Sequence, residues 1–405
     1  MTPSHRDEIP SSESLPLRGV RIARVSTVAF FVVSQLSYQL KYLIKQGAEV
    51  TVVTSYSSDV ELLRAIPGLN CELIEIPRSI SLWQDAKALI ALFWFFKRKR
   101  FDVVHSTTPK AGLLSALAAR LAGVPIRLHT FTGQPWVSLA GLRRSVVRFC
   151  DGIIGKLNTL NYADSFSQCD FLISEKLLSK SKLRVLGSGS LAGVDTLRFD
   201  KRQFPSELCV NLRKDLGIGS AEPVILFVGR ITEDKGIREL LSAFGRIKDE
   251  GSLAHLLFVG AFDNTERQES GITKQDIDLI PDTHVVGYST SPERYIAISD
   301  LLCLPSYREG FGTVVIEAAA MGVPSLGTLI YGLSDAIEHD ETGMLVPVRN
   351  ANALYEAIST LLKDNTKRLQ LGENAKKRVR EKFSAEHVSH LVSLEYQRLL
   401  KEIES

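Results

Sequence analysis

Short apolar runs alternate with stretches of helical period along most of the chain. "VRIARVSTV" and "AEVTVVTS" read as strands around "SQLSYQLKYLIKQG", an amphipathic helix ending at Gly47. "FDVVHS" and "VPIRLHTFTG" repeat the arrangement around "KAGLLSALAARLAG", a helix ending at Gly123. Strands that alternate with helices in this way predict a parallel sheet covered on both faces. The rhythm pauses over residues 196–222, which are polar and hold no strong strand, and then restarts. "PVILFVGR", "AHLLFVGAF", "THVVGY", "DLLCLPS" and "VPSLGT" are the new strands, with "GIRELLSAFGRIKDEG" a helix between the first two.

The pattern predicts a flexible tail over 1–18 and a Rossmann-like domain over 19–200. A linker follows at 201–222, then a second Rossmann-like domain over 223–383. A last helix, 384–405, has Ser384 as its N-cap and is free to pack back on the first domain. The fold class is therefore α/β. At 405 residues the chain is also too long for one core, and two domains are the natural division.

Composition narrows the class of function. A net charge of +3 gives no general reason to bind nucleic acid. Five scattered cysteines, without a C-x-x-C pair, predict neither a zinc site nor a disulfide framework and fit a reducing compartment. The polar N-terminus lacks the apolar core of a secretory signal. The longest strongly apolar run, Ala88 to Phe96, is far short of the roughly 20 residues needed to cross a bilayer.

In open parallel sheets, ligands sit outside the carboxyl ends of strands, so the loops after strands are where chemistry is sought. "FVGRITEDKG" sets Arg230 and Lys235 in a turn between a strand and a helix, where both can converge on one anion. In isolation such a turn is more often a solvated loop. "SYREGFGTVVIEAAAMGVP" follows another strand. Gly310 and Gly312 free the backbone there for close approach, and the amides of residues 312–314 open a helix. Those amides suit a phosphate, while Glu309 and Glu317 are acceptors suited to sugar hydroxyls. The plainer reading is a tight helix start whose acids complement the dipole, with "AAAMG" as core.

Taken together, G-R-x-x-x-x-K-G and E-G-F-G-x-x-x-x-E-A resemble the retaining glycosyltransferases of family four, which have the GT-B fold. The likeness extends over nearly the whole chain after the tail. "VVHSTTPKAGLLSALAARLAGVPIRLHTFTG" is similar to the branch that builds bacterial surface polysaccharides and lipid-linked oligosaccharides. The resemblance implies two parallel sheets facing a deep interdomain cleft. It gives Arg230 and Lys235 to the donor diphosphate, and Glu309 to the donor sugar with help from main chain at Gly310, Phe311, Gly312, Thr313 and Val314. It gives Glu317 to the ribose, Tyr288 in "HVVGY" to the nucleobase, and His129 to the neighbourhood of the anomeric carbon on the acceptor side. His105 would line the same side. No metal or cofactor is implied. The donor implied is a nucleotide sugar, UDP more readily than GDP.

Three further stretches bear on function. "LWQDAKALIALFWFFKRKRFD" joins bulky aromatic residues to Lys97, Arg98, Lys99 and Arg100. It reads as a core helix with a basic last turn, or as an amphipathic element resting on anionic lipid. "GLRRSVVRFCDGIIGKL" repeats the mixture, and both fit peripheral contact at the inner face of a membrane carrying a polyprenyl-linked acceptor. "GSGSLAGVD" matches a dinucleotide fingerprint, but "TLRFDKRQFP" after it has no helical period, which that fingerprint requires. His387 and His390 share a helix face but lack a third metal ligand.

The expectation is thus a retaining, metal-independent hexosyltransferase acting from a nucleotide sugar onto a lipid-linked glycan. The alternatives are another GT-B enzyme, such as a sugar-nucleotide epimerase or hydrolase, and a non-catalytic nucleotide- or glycan-binding module.

Overall fold

A computed structural model of the chain describes residues 15–77, 81–262 and 271–405. The tail expected over 1–18 lies mostly outside the described residues. Thirteen strands are found among them. The first seven are β1 Arg21–Val25, β2 Glu49–Thr54, β3 Asn70–Leu73, β4 Val103–Ser106, β5 Ile126–Phe131, β6 Leu160–Ala163 and β7 Leu183–Arg184. The remaining six are β8 Val224–Val228, β9 His255–Val259, β10 Thr283–Gly287, β11 Leu301–Leu304, β12 Ser325–Thr328 and β13 Gly343–Val346. They form a seven-stranded sheet in the order β3-β2-β1-β4-β5-β6-β7 and a six-stranded sheet in the order β10-β9-β8-β11-β12-β13. The strands pair in parallel, with Ile22 opposite Val50 and Val103 in one sheet and Ile225 opposite Leu256 and Leu301 in the other.

β1, β2, β4 and β5, and β8 through β12, lie where the apolar runs predict them. β7 is the start of "LRVLG", which is strand-like in sequence. Three strands, "NCEL", "LNYA" and "GMLV" (β3, β6 and β13), are four residues long and carry no alternation that declares them. The helices Pro109–Ala122 and Ile237–Asp249 match the predicted ones, and Gly123 closes the first in the left-handed conformation at φ 76°. Ser384 does cap the last helix, Ala385–Glu404, its Oγ accepting from the His387 amide at 3.2 Å.

The chain gathers into two compact units. One runs up to Phe131 and takes in 149–162 and 389–405; the other holds 132–148 and 163–388. This division differs from a single break at 201–222, which contains the helix Ser206–Asp215 and lies inside the second unit. Hydrogen bonding supplies the reason. Val194 exchanges main-chain bonds with Phe383 and Ala385, at 2.8 Å each, and the Phe166 and Ser167 amides donate to Asp335. Residues 163–200 are thereby tied to elements more than a hundred residues later.

Each unit has its own apolar core. In the first, Ala88, Leu92, Phe95 and Phe96 line one face of the helix Leu82–Lys99 and pack with Phe101 and strand residues such as Ala23 and Val104. In the second, β8, β9 and β11 are buried on both faces, and their near-continuous apolar sequences reflect that.

Candidate active site

β8 and β11 are neighbours, yet β8 continues to β9 on one side while β11 continues to β12 on the other. The order reverses between them, so the loops that leave their carboxyl ends part in opposite directions and open a crevice. Both sequence motifs fall on these two loops.

Backbone geometry brings the loops into contact. Gly236 adopts φ 70°, and a Cβ there would stand 2.1 Å from the Pro305 carbonyl oxygen, so only glycine fits. The Tyr307 amide donates to the Asp234 carbonyl at 2.9 Å, and the Arg308 guanidinium meets the Asp234 carboxylate at 3.2 Å. Lys235 Nζ lies 2.5 Å from Glu309 Oε1, and the Ser306 hydroxyl donates to the same oxygen at 2.8 Å. The Lys235 and Glu309 side chains are each 16% exposed, enough to be reached from solvent and little enough for their charges to act through a poorly screening surrounding.

Asp234 completes the cluster. Burial raises its pKa, but the Thr232 hydroxyl and the charges of Arg308, Lys235 and Arg230 prevail and hold it below the usual carboxylate value. Arg230 is itself exposed.

After Glu309 the chain makes its glycine turn. A Cβ on Gly310 would collide with the Thr132 carbonyl at 2.5 Å, and Gly312 takes φ 85° as it leads into the helix Thr313–Ala320. Phe311 between them is an interior residue, 5.2 Å from the Phe383 ring, so its side chain anchors the turn and only its main chain is offered to a ligand. Thr313 and Val314 begin the helix, where the first amides have no intrahelical acceptor. Glu317 lies one turn on. Burial pushes its carboxyl up to about 7, with Arg198 pulling down and Glu293 pushing up. Tyr288 projects into solvent just beyond β10.

The remaining predicted residues belong to the first unit. His129 at the end of β5 is buried, with Nδ1 2.9 Å from the Ser106 hydroxyl and its ring edge-on to Phe131. Burial lowers its pKa to about 3, so it is neutral at physiological pH. A Cβ on Gly112 would reach within 2.5 Å of His129 Cε1, which shows how tightly the ring is enclosed. His105, expected to line the acceptor side, is not at a surface. It is interior, with Nε2 on Thr130 (2.8 Å) and Nδ1 within 2.7 Å of both Arg24 Nη1 and the Tyr396 hydroxyl. Burial, and then the charge of Arg24, hold it well below the ordinary imidazole value. A histidine on β4 in register with Arg24 on β1 shares its face of the sheet, and that face is covered. Lys97, Arg98, Lys99 and Arg100 are exposed at the end of the helix Leu82–Lys99.

Sequence reasoning missed Ser306, Asp234 and Arg308, although all three lie inside the quoted motifs. Asp234 and Arg308 pair across the two loops, and the Ser306 hydroxyl meets Glu309 only once the turn has folded, so nothing local marked them. Arg198 and Glu293 had no signal at all. Among the described residues, no group of three or more His, Cys, Asp or Glu side chains is gathered as a metal site requires.

A parallel sheet with a charged crevice at its switch point, together with a second parallel sheet in the same chain, fits the GT-B fold. Comparison with known proteins agrees. Residues 211–378 match the family model "Glycosyl transferases group 1", and 32–156 match "Glycosyl transferase 4-like domain". The capsular polysaccharide biosynthesis glycosyltransferase CapM of Staphylococcus aureus is 30% identical over 371 residues, which is 90% of this chain and 94% of that protein. The UDP-Gal:alpha-D-GlcNAc-diphosphoundecaprenol alpha-1,3-galactosyltransferase of Escherichia coli is 25% identical, over 85% of each chain. A glycosyltransferase from Rickettsia africae superposes with a TM-score of 0.78 at 22% identity, over 94% of this chain and 99% of that one. The chain belongs to the group 1, type 4-like family of glycosyltransferases.

Proposed function

We propose that this glycosyltransferase moves a hexose-type sugar from a UDP-sugar to a polyprenyl-linked glycan, retaining anomeric configuration and needing no metal ion, in the building of a bacterial surface polysaccharide. The observation that carries the reading is the contact of Lys235 with Glu309 at the switch point. A cation suited to phosphate and an acceptor suited to sugar hydroxyls meet at one place, where the bond joining sugar to diphosphate would lie. Lys235, Arg230 and the start of the helix Thr313–Ala320 then face the charge that develops on the departing diphosphate. Glu309 accepts from sugar hydroxyls, held by the Ser306 hydroxyl. Glu317 accepts from the ribose, and Tyr288 flanks the base. In the step itself, the bond from C1 to the β-phosphate oxygen breaks and a bond from C1 to the acceptor oxygen forms on the same face. The acceptor's proton passes to the leaving phosphate.

The names of the relatives support a polysaccharide or lipid-linked acceptor, and so does the surface of the first unit. Trp83, Lys87, Ile90, Trp94, Lys97 and Arg98 recur at helical spacing on the outer face of the helix Leu82–Lys99, with Trp83 72% and Trp94 63% exposed. Lys87 stands over the Trp83 ring at 5.2 Å. Aromatic rings ringed by cations suit the headgroup level of anionic lipid. Phe149 on the helix Gly141–Leu157 adds exposed apolar area. No helix among the described residues is long and apolar enough to cross a membrane, so contact would be peripheral, at the inner face where nucleotide sugars are present.

Thermal shift with UDP and UDP-sugars, with and without EDTA, tests the donor reading. A ligand at a hundredfold excess over its dissociation constant stabilises by about 2.7 kcal/mol. A shift that survives EDTA, followed by transfer of labelled sugar to membrane lipid extract, is the expected result. Absence of any nucleotide-induced shift would overturn it. Flotation with anionic vesicles should carry the wild type and leave a Trp83→Ala/Trp94→Ala variant behind.

A further inference from the structure

Asp195 closes the turn ahead of Arg198, its Oδ1 accepting from the amides of Leu197 and Arg198 at 3.0 and 3.2 Å. The guanidinium lies over the Phe199 ring, 5.1 Å from its centre, and Phe199 is buried. From that base Arg198 Nη2 reaches the segment after β10. It donates to the Thr290 carbonyl at 2.7 Å and to Glu293 Oε2 at 2.8 Å. Thr290 is two residues beyond Tyr288, and Glu293 opens the helix Glu293–Ala297. One side chain therefore ties down the segment that presents Tyr288.

Its second effect is electrostatic. Burial raises the Glu317 carboxyl, and the charged groups that act on it are Arg198, which favours the ionised form, and Glu293, which opposes it. Without Arg198, burial and the Glu293 charge would both oppose ionisation of Glu317.

We propose that Arg198 is a positioning residue for the nucleoside half of the donor. It holds the Thr290–Glu293 segment in place and keeps the Glu317 carboxylate ready to accept from the ribose hydroxyls. The inference rests on the donor reading above, and on Glu317 as the ribose acceptor within it. Its bonds go to the 290–293 segment, while the groups assigned to the diphosphate lie on the loops after β8 and β11. Loss of Arg198 should thus separate the two halves of the ligand.

The test titrates full-length wild type, Arg198→Gln, Arg198→Lys and Glu293→Gln with inorganic pyrophosphate and with the tightest-binding of UDP, GDP and ADP, between pH 5.5 and 8.5. Arg198→Gln should weaken the nucleoside diphosphate about tenfold at pH 7, the scale of a charge-assisted contact, and leave pyrophosphate unchanged. Ionised Glu317 is the binding form, so wild-type affinity rises with pH through about 7. That midpoint should move up in Arg198→Gln, down in Glu293→Gln, and return toward wild type in Arg198→Lys. The phosphate's own titration is common to all four proteins.

Equal loss of pyrophosphate and nucleotide in Arg198→Gln, or a wild-type affinity with an unmoved midpoint, would overturn the inference while the donor reading stands. A wild type that binds pyrophosphate but no nucleoside diphosphate would overturn both. Thermal melts of each variant separate a folding defect from a binding one, and Arg198→Lys keeps the test alive if Arg198→Gln does not fold.

Discussion

Beyond β8 and β11 the second unit keeps Lys235, Glu309, Asp234 and Arg308 on loops, part-exposed and joined across 74 residues of chain by the Lys235–Glu309 pair. At the ends of β4 and β5 the first unit keeps His105 and His129 within the strands, enclosed and uncharged. Both regions stand at the carboxyl ends of adjacent parallel strands. The loops can hold ionised groups because water and neighbouring opposite charges offset the cost of keeping them. The strands cannot, and their histidines survive burial by giving up the proton and spending their nitrogens on Thr130, Tyr396 and Ser106. The same strand-end position therefore favours ligand chemistry in one unit and hydrogen-bonded packing in the other.

Substitutions should part the two regions sharply. The largest effect belongs to Glu309→Gln, which keeps shape and removes the charge. Transfer should fall about a thousandfold, the order seen when a preorganised group at a reacting centre is lost, while UDP affinity measured by calorimetry stays within about threefold. Equal loss of both would remove Glu309 from the sugar. Next comes Lys235→Ala, which should lower kcat about a hundredfold and weaken UDP as well, because the ammonium serves bound and departing diphosphate alike.

In the first unit the outcome should invert. Tyr396→Phe deletes the hydroxyl that meets Arg24 and His105, leaving a buried Arg24 N–H without that acceptor. Stability in a urea melt should drop by about 1–3 kcal/mol, with turnover per folded molecule unchanged. A loss of turnover with unaltered stability would place that network in catalysis.

More gradual, and opposite in sign, are the pH effects. His129 titrates near 3 when folded and near 6.5 when unfolded. Its contribution is complete above 6.5 and is lost as pH falls toward 3, at about 1.4 kcal/mol per pH unit. His129→Asn should flatten that acid limb. Glu317 runs the other way, from 4.5 unfolded up to about 7. It favours the fold below 4.5, and that advantage fades as pH rises to 7, so Glu317→Gln should gain relative stability across this window. Parallel slopes in the two variants would contradict the contrast drawn above. The least effect is expected of Ser306→Ala, where Glu309 keeps Lys235 as a partner and kcat should drop by less than about tenfold.

Much of this was open to reading from residues alone. The apolar runs located β1, β2, β4, β5 and β8 to β12, most plainly β8, β9 and β11, because a strand buried on both faces must be apolar throughout. The glycines announced the turn at 310–312, since a Cβ at either position would clash or strain the backbone. Lys235 and Glu309 were each marked by a local motif.

Other features depend on partners distant in sequence, and only the folded chain decides them. Whether Arg24 finds a carboxylate or His105, whether His105 faces water or Tyr396, and whether 163–200 joins the first or the second unit are settled by contacts among residues separated by as many as 372 positions. Period and turn chemistry act over a few residues, and the sequence displays them directly. Burial and the pairing of charges act through space, so a motif can name Glu317 but not the Arg198 and Glu293 that set its charge.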